Sequence, residues 1–228
     1  MTASAAHVTD PGAEASTPLP AGSSPLRVAM LAVVTVGLLL LGGGLAVVLG
    51  IGRDDAATPG AVDVGFSRDM TTHHLQGVEM ANLVAERSQD KAVRLLAFDI
   101  SSTQTNQVGR MQGWLALWGY SSVGGEQMAW MEGDMNMSHS SGLMPGMATE
   151  DELAHLRSLS GTAFDVEFLR LMIRHHQGGL KMAQYAEQHA QVSAVSTLAR
   201  SIAETQTAEV GTMAQLLAER GGTPLPAP

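Results

Sequence analysis

The 228-residue chain has no cysteine. That excludes disulfides, thiolate zinc sites, iron–sulfur clusters, thiol catalysis and lipid attachment through sulfur. Aromatic residues are scarce, with four Phe, three Trp and two Tyr. Basic residues are few as well: 13 Lys and Arg stand against 22 Asp and Glu, a net charge of −9. An acidic chain lacks the basic stripe that a nucleic-acid binder needs. There is no G-x-S-x-G, no P-loop and no G-x-G-x-x-G opening a helix after a strand, so no hydrolase or nucleotide site is expected. What the chain does have is 14 Met and eight His. Those side chains serve either as soft core filler or as metal ligands.

Residues 1–27 are rich in Ala, Ser, Thr, Pro and Gly without periodicity and read as a disordered tail. Val28 to Ile51 is 24 residues without a charge, between Arg27 and Arg53. A helix of that length, rising about 1.5 Å per residue, crosses a ~30 Å hydrocarbon core with some tilt, and it exceeds the apolar stretch of a cleaved signal peptide. The flanking arginines tie, so charge does not orient the span. Residues 52–60 form a polar linker, and residues 221–228 (GGTPLPAP) read as a helix stop followed by a disordered tail. The charge belongs to one part. Residues 1–53 are net neutral, while residues 54–228 carry 11 basic and 20 acidic groups.

The strongest signal lies in residues 61–220. Placing 63–119 over 165–221, a constant offset of 102, makes 25 of 57 positions identical without a gap. Met70 falls on Met172, His73-His74 on His175-His176, Gly77 on Gly179, Met80 on Met182, Gln104 on Gln206 and Met111 on Met213. Each copy holds two apolar patterns at three- and four-residue steps, broken near Ser88-Gln89-Asp90 and Gln191-Val192-Ser193. Two such hairpins predict an all-α four-helix bundle. Between them, residues 120–160 form an insert with six Met and His139 within 128–147. Thr149-x-x-Glu152 is a capping box for a short helix to about Leu159, and Thr162-x-x-Asp165 is the expected cap of the third long helix.

Adjacent histidines on a helix point about 100° apart. Met70, His73, Gly77 and Met80 form one stripe, with Met172, His175, Gly179 and Met182 as its copy. A pseudo-twofold bundle turns both stripes toward a shared interior. Imidazole with thioether suits copper, and thioether favours Cu(I); hard cations prefer oxygen ligands. The competing reading is a buried polar layer with Gln104 and Gln206 as hydrogen-bond partners of the histidines. Met135, Met137, His139, Met144 and Met147 in the insert offer a second soft-metal candidate, since thioethers need no deprotonation. Partner contact is the alternative role of that loop. A ferritin-type di-iron centre is not expected, because the single Glu-x-x-His spacing, Glu152 to His155, lies outside the repeats.

Asp63-x-x-Phe66-x-x-x-Met70-x-x-His73-His74-x-x-Gly77-x-x-Met80-Ala81 resembles the domain-of-unknown-function family 305, and the copy from Asp165 to Ala183 is a closer match. Met144-Pro145-Gly146-Met147 resembles the family too. The resemblance covers about residues 61–220. It implies a ferritin-like four-helix bundle, secreted or membrane-anchored in bacteria, with some relatives binding copper outside the cytoplasm. Carried over by position, the metal candidates are His73, His74, His175, His176, Met70, Met80, Met172 and Met182. The expectation is a single-pass, membrane-anchored, extracytoplasmic copper-binding protein that buffers or hands over the metal, to a copper-handling partner, without catalysis. The alternative is a metal-free bundle that mediates envelope protein interactions.

Overall fold

The computed structural model describes residues 25–48, 58–131 and 142–228. The chain divides into two units, residues 1–56 and 57–228. The first contains α1 (Pro25–Val48), whose described apolar side chains, among them Leu31, Val33 and Leu39, are exposed. Among the described residues no helix is long and apolar enough to cross a membrane. The transmembrane helix expected over 28–51 overlaps α1 but reaches beyond the described residues, so it is not part of the fold as described. Most of the expected tail 1–27 and linker 52–60 lies outside them too.

The second unit is the all-helical domain: α2 (Ala61–Arg87), α3 (Lys91–Leu117), α4 (Glu150–Ser158), α5 (Gly161–His189) and α6 (Ser193–Glu219), with a 3-10 turn at Ala129–Met131. Helix breaks fall where the sequence places them, at 88–90 and 190–192. Asp90 caps α3 by accepting from the N–H groups of Ala92 (2.9 Å) and Val93 (3.1 Å), satisfying donors that a helix start leaves free. Thr149 and Glu152 form the expected capping box of α4. Thr162 does not cap α5. That helix begins at Gly161, which takes φ +60°, behind Ser160, and Ser160 makes no side-chain cap. With the chain already turned by a glycine, Thr162 lies inside the first turn.

α2 pairs with α3 and α5 with α6, and the two hairpins meet mainly through α2 against α5. Buried Asp63 ties them at one end. Its carboxylate accepts from Gly60 N (2.8 Å) at the start of α2 and from Val192 N (2.9 Å) in the α5–α6 turn. The core has two apolar clusters. One holds Met70, Met111 and Met182 with Phe66; the other holds Met80, Met172 and Met213 with Phe168. The offset of 102 converts one set into the other, so each end carries the same three methionines and one phenylalanine. The C-terminal residues are not a loose tail. Arg170 Nε donates to the Thr223 carbonyl (3.1 Å), Lys181 Nζ donates to Pro228 O, and Leu225 packs on the second cluster. Eleven residues of α5 rise about 16 Å, close to the reach of five residues in polyproline geometry. The proline-rich end therefore runs extended beside α5.

Candidate metal centre

Between the two methionine layers lie the four histidines, each fully buried. Glycine makes the room. A Cβ on Gly179 would lie 3.0 Å from His73 Cε1, and one on Gly77 would lie 3.0 Å from His175 Cε1 and strike the Gln104 side chain. The pairs 73/179, 77/175, 70/182 and 80/172 share one antiparallel register between α2 and α5. The two methionine stripes and the histidines between them therefore face one another, as the repeat implied.

Each imidazole is oriented through Nε2. His73 donates to the Pro145 carbonyl (3.1 Å), His175 to the His73 carbonyl (2.9 Å), His74 to Gln107 Oε1 (2.7 Å) and His176 to Glu209 Oε2 (2.7 Å). All four partners are oxygens that only accept, so Nε2 carries the proton in every ring. The lone pair is then on Nδ1, and all four Nδ1 atoms are buried without a hydrogen-bond partner. Burial holds His73, His74 and His175 in the neutral form. His73 is pushed down to about 4 and His74 to about 3, in both cases chiefly by desolvation, with the neighbouring His73 adding to the effect on His74. His175 is lowered well below the ordinary imidazole range by desolvation and then by the nearby histidines. A neutral imidazole with its far N–H anchored to a carbonyl or carboxylate is the arrangement in which histidine binds metals.

The rings do not converge on one point. His73 and His175 lie 3.9 Å apart, centre to centre, tilted by 34°, too close for an ion between their faces. Among the described residues, no three His, Asp or Glu side chains form a ready cluster for a metal. Each helix offers a pair instead. Ring centres are 6.3 Å apart in His73–His74 and 6.1 Å in His175–His176. An ion about 2.0–2.1 Å from an imidazole nitrogen lies roughly 3.2 Å from the ring centre, so two rings sharing one ion have centres no farther apart than about 6.4 Å. Both pairs meet that limit.

The expected partners Gln104 and Gln206 are buried beside the centre, yet neither side-chain amide has a hydrogen-bond partner. The actual side-chain partners are Gln107 and Glu209, each 33 residues after the second histidine of its pair. That matched spacing was the available signal, and one helical turn separates the right glutamine from the wrong one. Met70, Met80, Met172 and Met182 are fully buried in the two apolar layers rather than interleaved with the rings. Of the insert candidates, Met135, Met137 and His139 lie outside the described residues, Met144 is buried, and Met147 packs against the same cluster as Met70. The insert's stems are core. Met128, Met131 and Trp130 join the Met70 layer, and Asp69 accepts from Met128 N (2.7 Å) and Trp130 Nε1 (2.8 Å). The Met144–Met147 segment crosses the bundle like a strap. Gln76 clamps it by donating to Ala148 O (2.9 Å) and accepting from Ala148 N (2.7 Å), while Gly178 on α5 leaves space for Pro145 and Gly146. The strap thereby delivers the Pro145 carbonyl to His73.

The family model described as "Domain of unknown function (DUF305)" matches residues 63–217. The chain belongs to the DUF305 family. It is 43% identical to a DUF305 protein from Streptomyces coelicolor, over 72% of this chain and 97% of that one, with a TM-score of 0.66. A DUF305 fragment from Deinococcus radiodurans is 35% identical over 71% and 98%, with a TM-score of 0.61. CopM in its Cu(II)-bound form is 27% identical over 69% and 96%, with a TM-score of 0.55. CopM in its Cu(I)-bound form, at 24% identity and a TM-score of 0.56, shares the fold. None of the curated proteins matches the chain. The DUF305 fold thus places both His-His motifs at the middle of the bundle, on the seam between its two hairpins.

Proposed function

We propose that this DUF305 protein binds copper at its histidine pairs, preferentially as Cu(I), and acts in copper buffering, hand-over or resistance rather than in catalysis. One observation carries the reading: four buried imidazoles with every Nε2 engaged by an oxygen and every Nδ1 unpartnered. A buried acceptor left without a partner costs about 1–3 kcal/mol, and a bound cation would satisfy it. Cuprous ion is satisfied by two nitrogen ligands, whereas a hard, high-coordinate cation needs more ligands and prefers oxygen, so the paired rings favour Cu(I). The copper bound by CopM, a relative of the same fold, supports the choice of metal. In this role copper is cargo. The chain's part is to hold the ring tautomers fixed, keep the site dry and shield it behind the Pro145 strap.

The placement we propose is a single-pass anchor with the bundle outside the cytoplasm. It is supported by the uncharged run Val28–Ile51 and the exposed apolar side chains of α1. A cysteine-free ligand set suits an oxidising compartment. The test is a Cu(I) titration against a competing chelator, repeated with His73, His74, His175 and His176 all changed to Ala. The expected result is binding tighter than micromolar that is lost in the variant. Weak binding by the natural chain, or unchanged binding by the variant, rejects the function.

A further inference from the structure

The two pairs differ in what stands behind them. His74 rests on the neutral amide of Gln107, whereas His176 rests on the carboxylate of Glu209, at the same distance of 2.7 Å and in equivalent positions of the repeat. Glu209 is mostly shielded, with 16% of its side chain exposed. Among the described residues it pairs with no Lys or Arg; the side chain that reaches it is His176, through Nε2. Arg174, which precedes the second pair on α5, is already committed to Glu152 (2.6 Å). A crevice of about 10 Å³, room for roughly one water, opens between α3 and α6 and is lined by Gln104, Gln107, Gln206 and Glu209. The one carboxylate at this opening therefore sits behind the second pair.

We propose that the histidine pairs are two unequal sites for a soft monovalent cation, and that Glu209 makes His175–His176 the tight one. This inference rests on the metal-binding reading above and deepens it. Two causes act together. The carboxylate raises the ligand basicity of its imidazole, an effect worth 10–100-fold in affinity where it has been removed from other sites. It also cancels the charge of the guest: a monovalent ion at His175–His176 makes a neutral assembly with Glu209, whereas at His73–His74 the same ion leaves a buried, uncompensated positive charge. Glu209 touches no metal in this scheme. It is a positioning and charge-balancing residue.

The test is a titration of the full-length chain in detergent with Ag(I), a redox-inert monovalent probe, against a competing chelator, with the ring-nitrogen NMR signals followed at each equivalent. The natural chain should bind two ions in two steps separated by 10–100-fold, with the Nδ1 signals of His175 and His176 moving first. Glu209→Gln should collapse the tight step onto the weak one. Gln107→Glu should raise the weak step to match the tight one, a gain that a folding defect cannot imitate. Two equal steps, first occupancy at His73–His74, or an unchanged profile in Gln107→Glu overturns the inequality while leaving the metal reading standing. No Ag(I) binding at all overturns both.

Discussion

The two copies of the hairpin carry the same three methionines and the same histidine pair, yet one position treats the insert in opposite ways. Gln76 in the first copy grips the strap with two hydrogen bonds to Ala148, while its counterpart Gly178 in the second copy lets Pro145 and Gly146 lie against the helix backbone. One insert cannot be matched twice by identical residues, so duplication kept the core and divergence fitted the cover. The ends differ likewise. The Met80–Met172–Met213 layer is closed by Leu153, Leu156 and Phe164, whereas the Met70–Met111–Met182 layer is closed by Met128, Met131, Met144 and Trp130. A methionine triad that appears at both ends, under either cover, is packing first.

The largest expected effect ignores this asymmetry. His73, His74 and His175 have native values held below the unfolded value of about 6.5, so the unfolded chain binds more protons below that pH. Their contribution to stability is full above pH 6.5 and is lost as pH falls toward 4. Between pH 7.5 and 5.5 the metal-free bundle should lose about 4 kcal/mol, a drop in Tm on the order of 10 °C by calorimetry. Asp69, raised by burial, works the other way and offsets part of the loss as pH falls. A bundle equally stable at both pH values would mean the histidines are not buried neutral.

Making the copies alike breaks the comparison directly. Gly178→Gln drives a side chain into the backbone of Pro145 and Gly146 and should cost about 3 kcal/mol, with faster exchange of the His73 Nε2 proton as its acceptor moves away. The reverse change, Gln76→Gly, removes two hydrogen bonds to Ala148 and should cost about 1–2 kcal/mol in denaturant melts. If Gly178→Gln is the milder of the two, the strap does not lie where the structure puts it. The smallest effect sharpens the reading of the triads: Met80→Leu and Met182→Leu should each cost less than about 1.5 kcal/mol and leave copper affinity unchanged. A large loss of affinity in either would turn a packing methionine into a ligand.

Much of this was legible beforehand. The offset of 102 carried the bundle, the helix breaks and the two buried histidine pairs, because period and apolar spacing report directly on which face is buried. The histidines' side-chain partners were harder. Gln104 and Gln107 are both buried on α3, and only the helix crossing decides which one reaches His74. The strap was less legible still. Its methionines looked like ligands from composition, but Met128, Met131 and Met144 are core because a buried carboxylate, Asp69, pins the insert's first stem to α2. Nothing local to the insert announces a partner 59 residues away.

The most direct test of the centre is the nitrogen NMR spectrum of the histidine rings in the copper-free and Cu(I)-loaded chain. In the metal-free chain His73, His74 and His175 should be neutral, all four rings should carry a proton on Nε2, and Cu(I) should shift Nδ1 while every Nε2–H persists. Rings protonated on Nδ1, or Nδ1 signals that ignore Cu(I), would contradict the account.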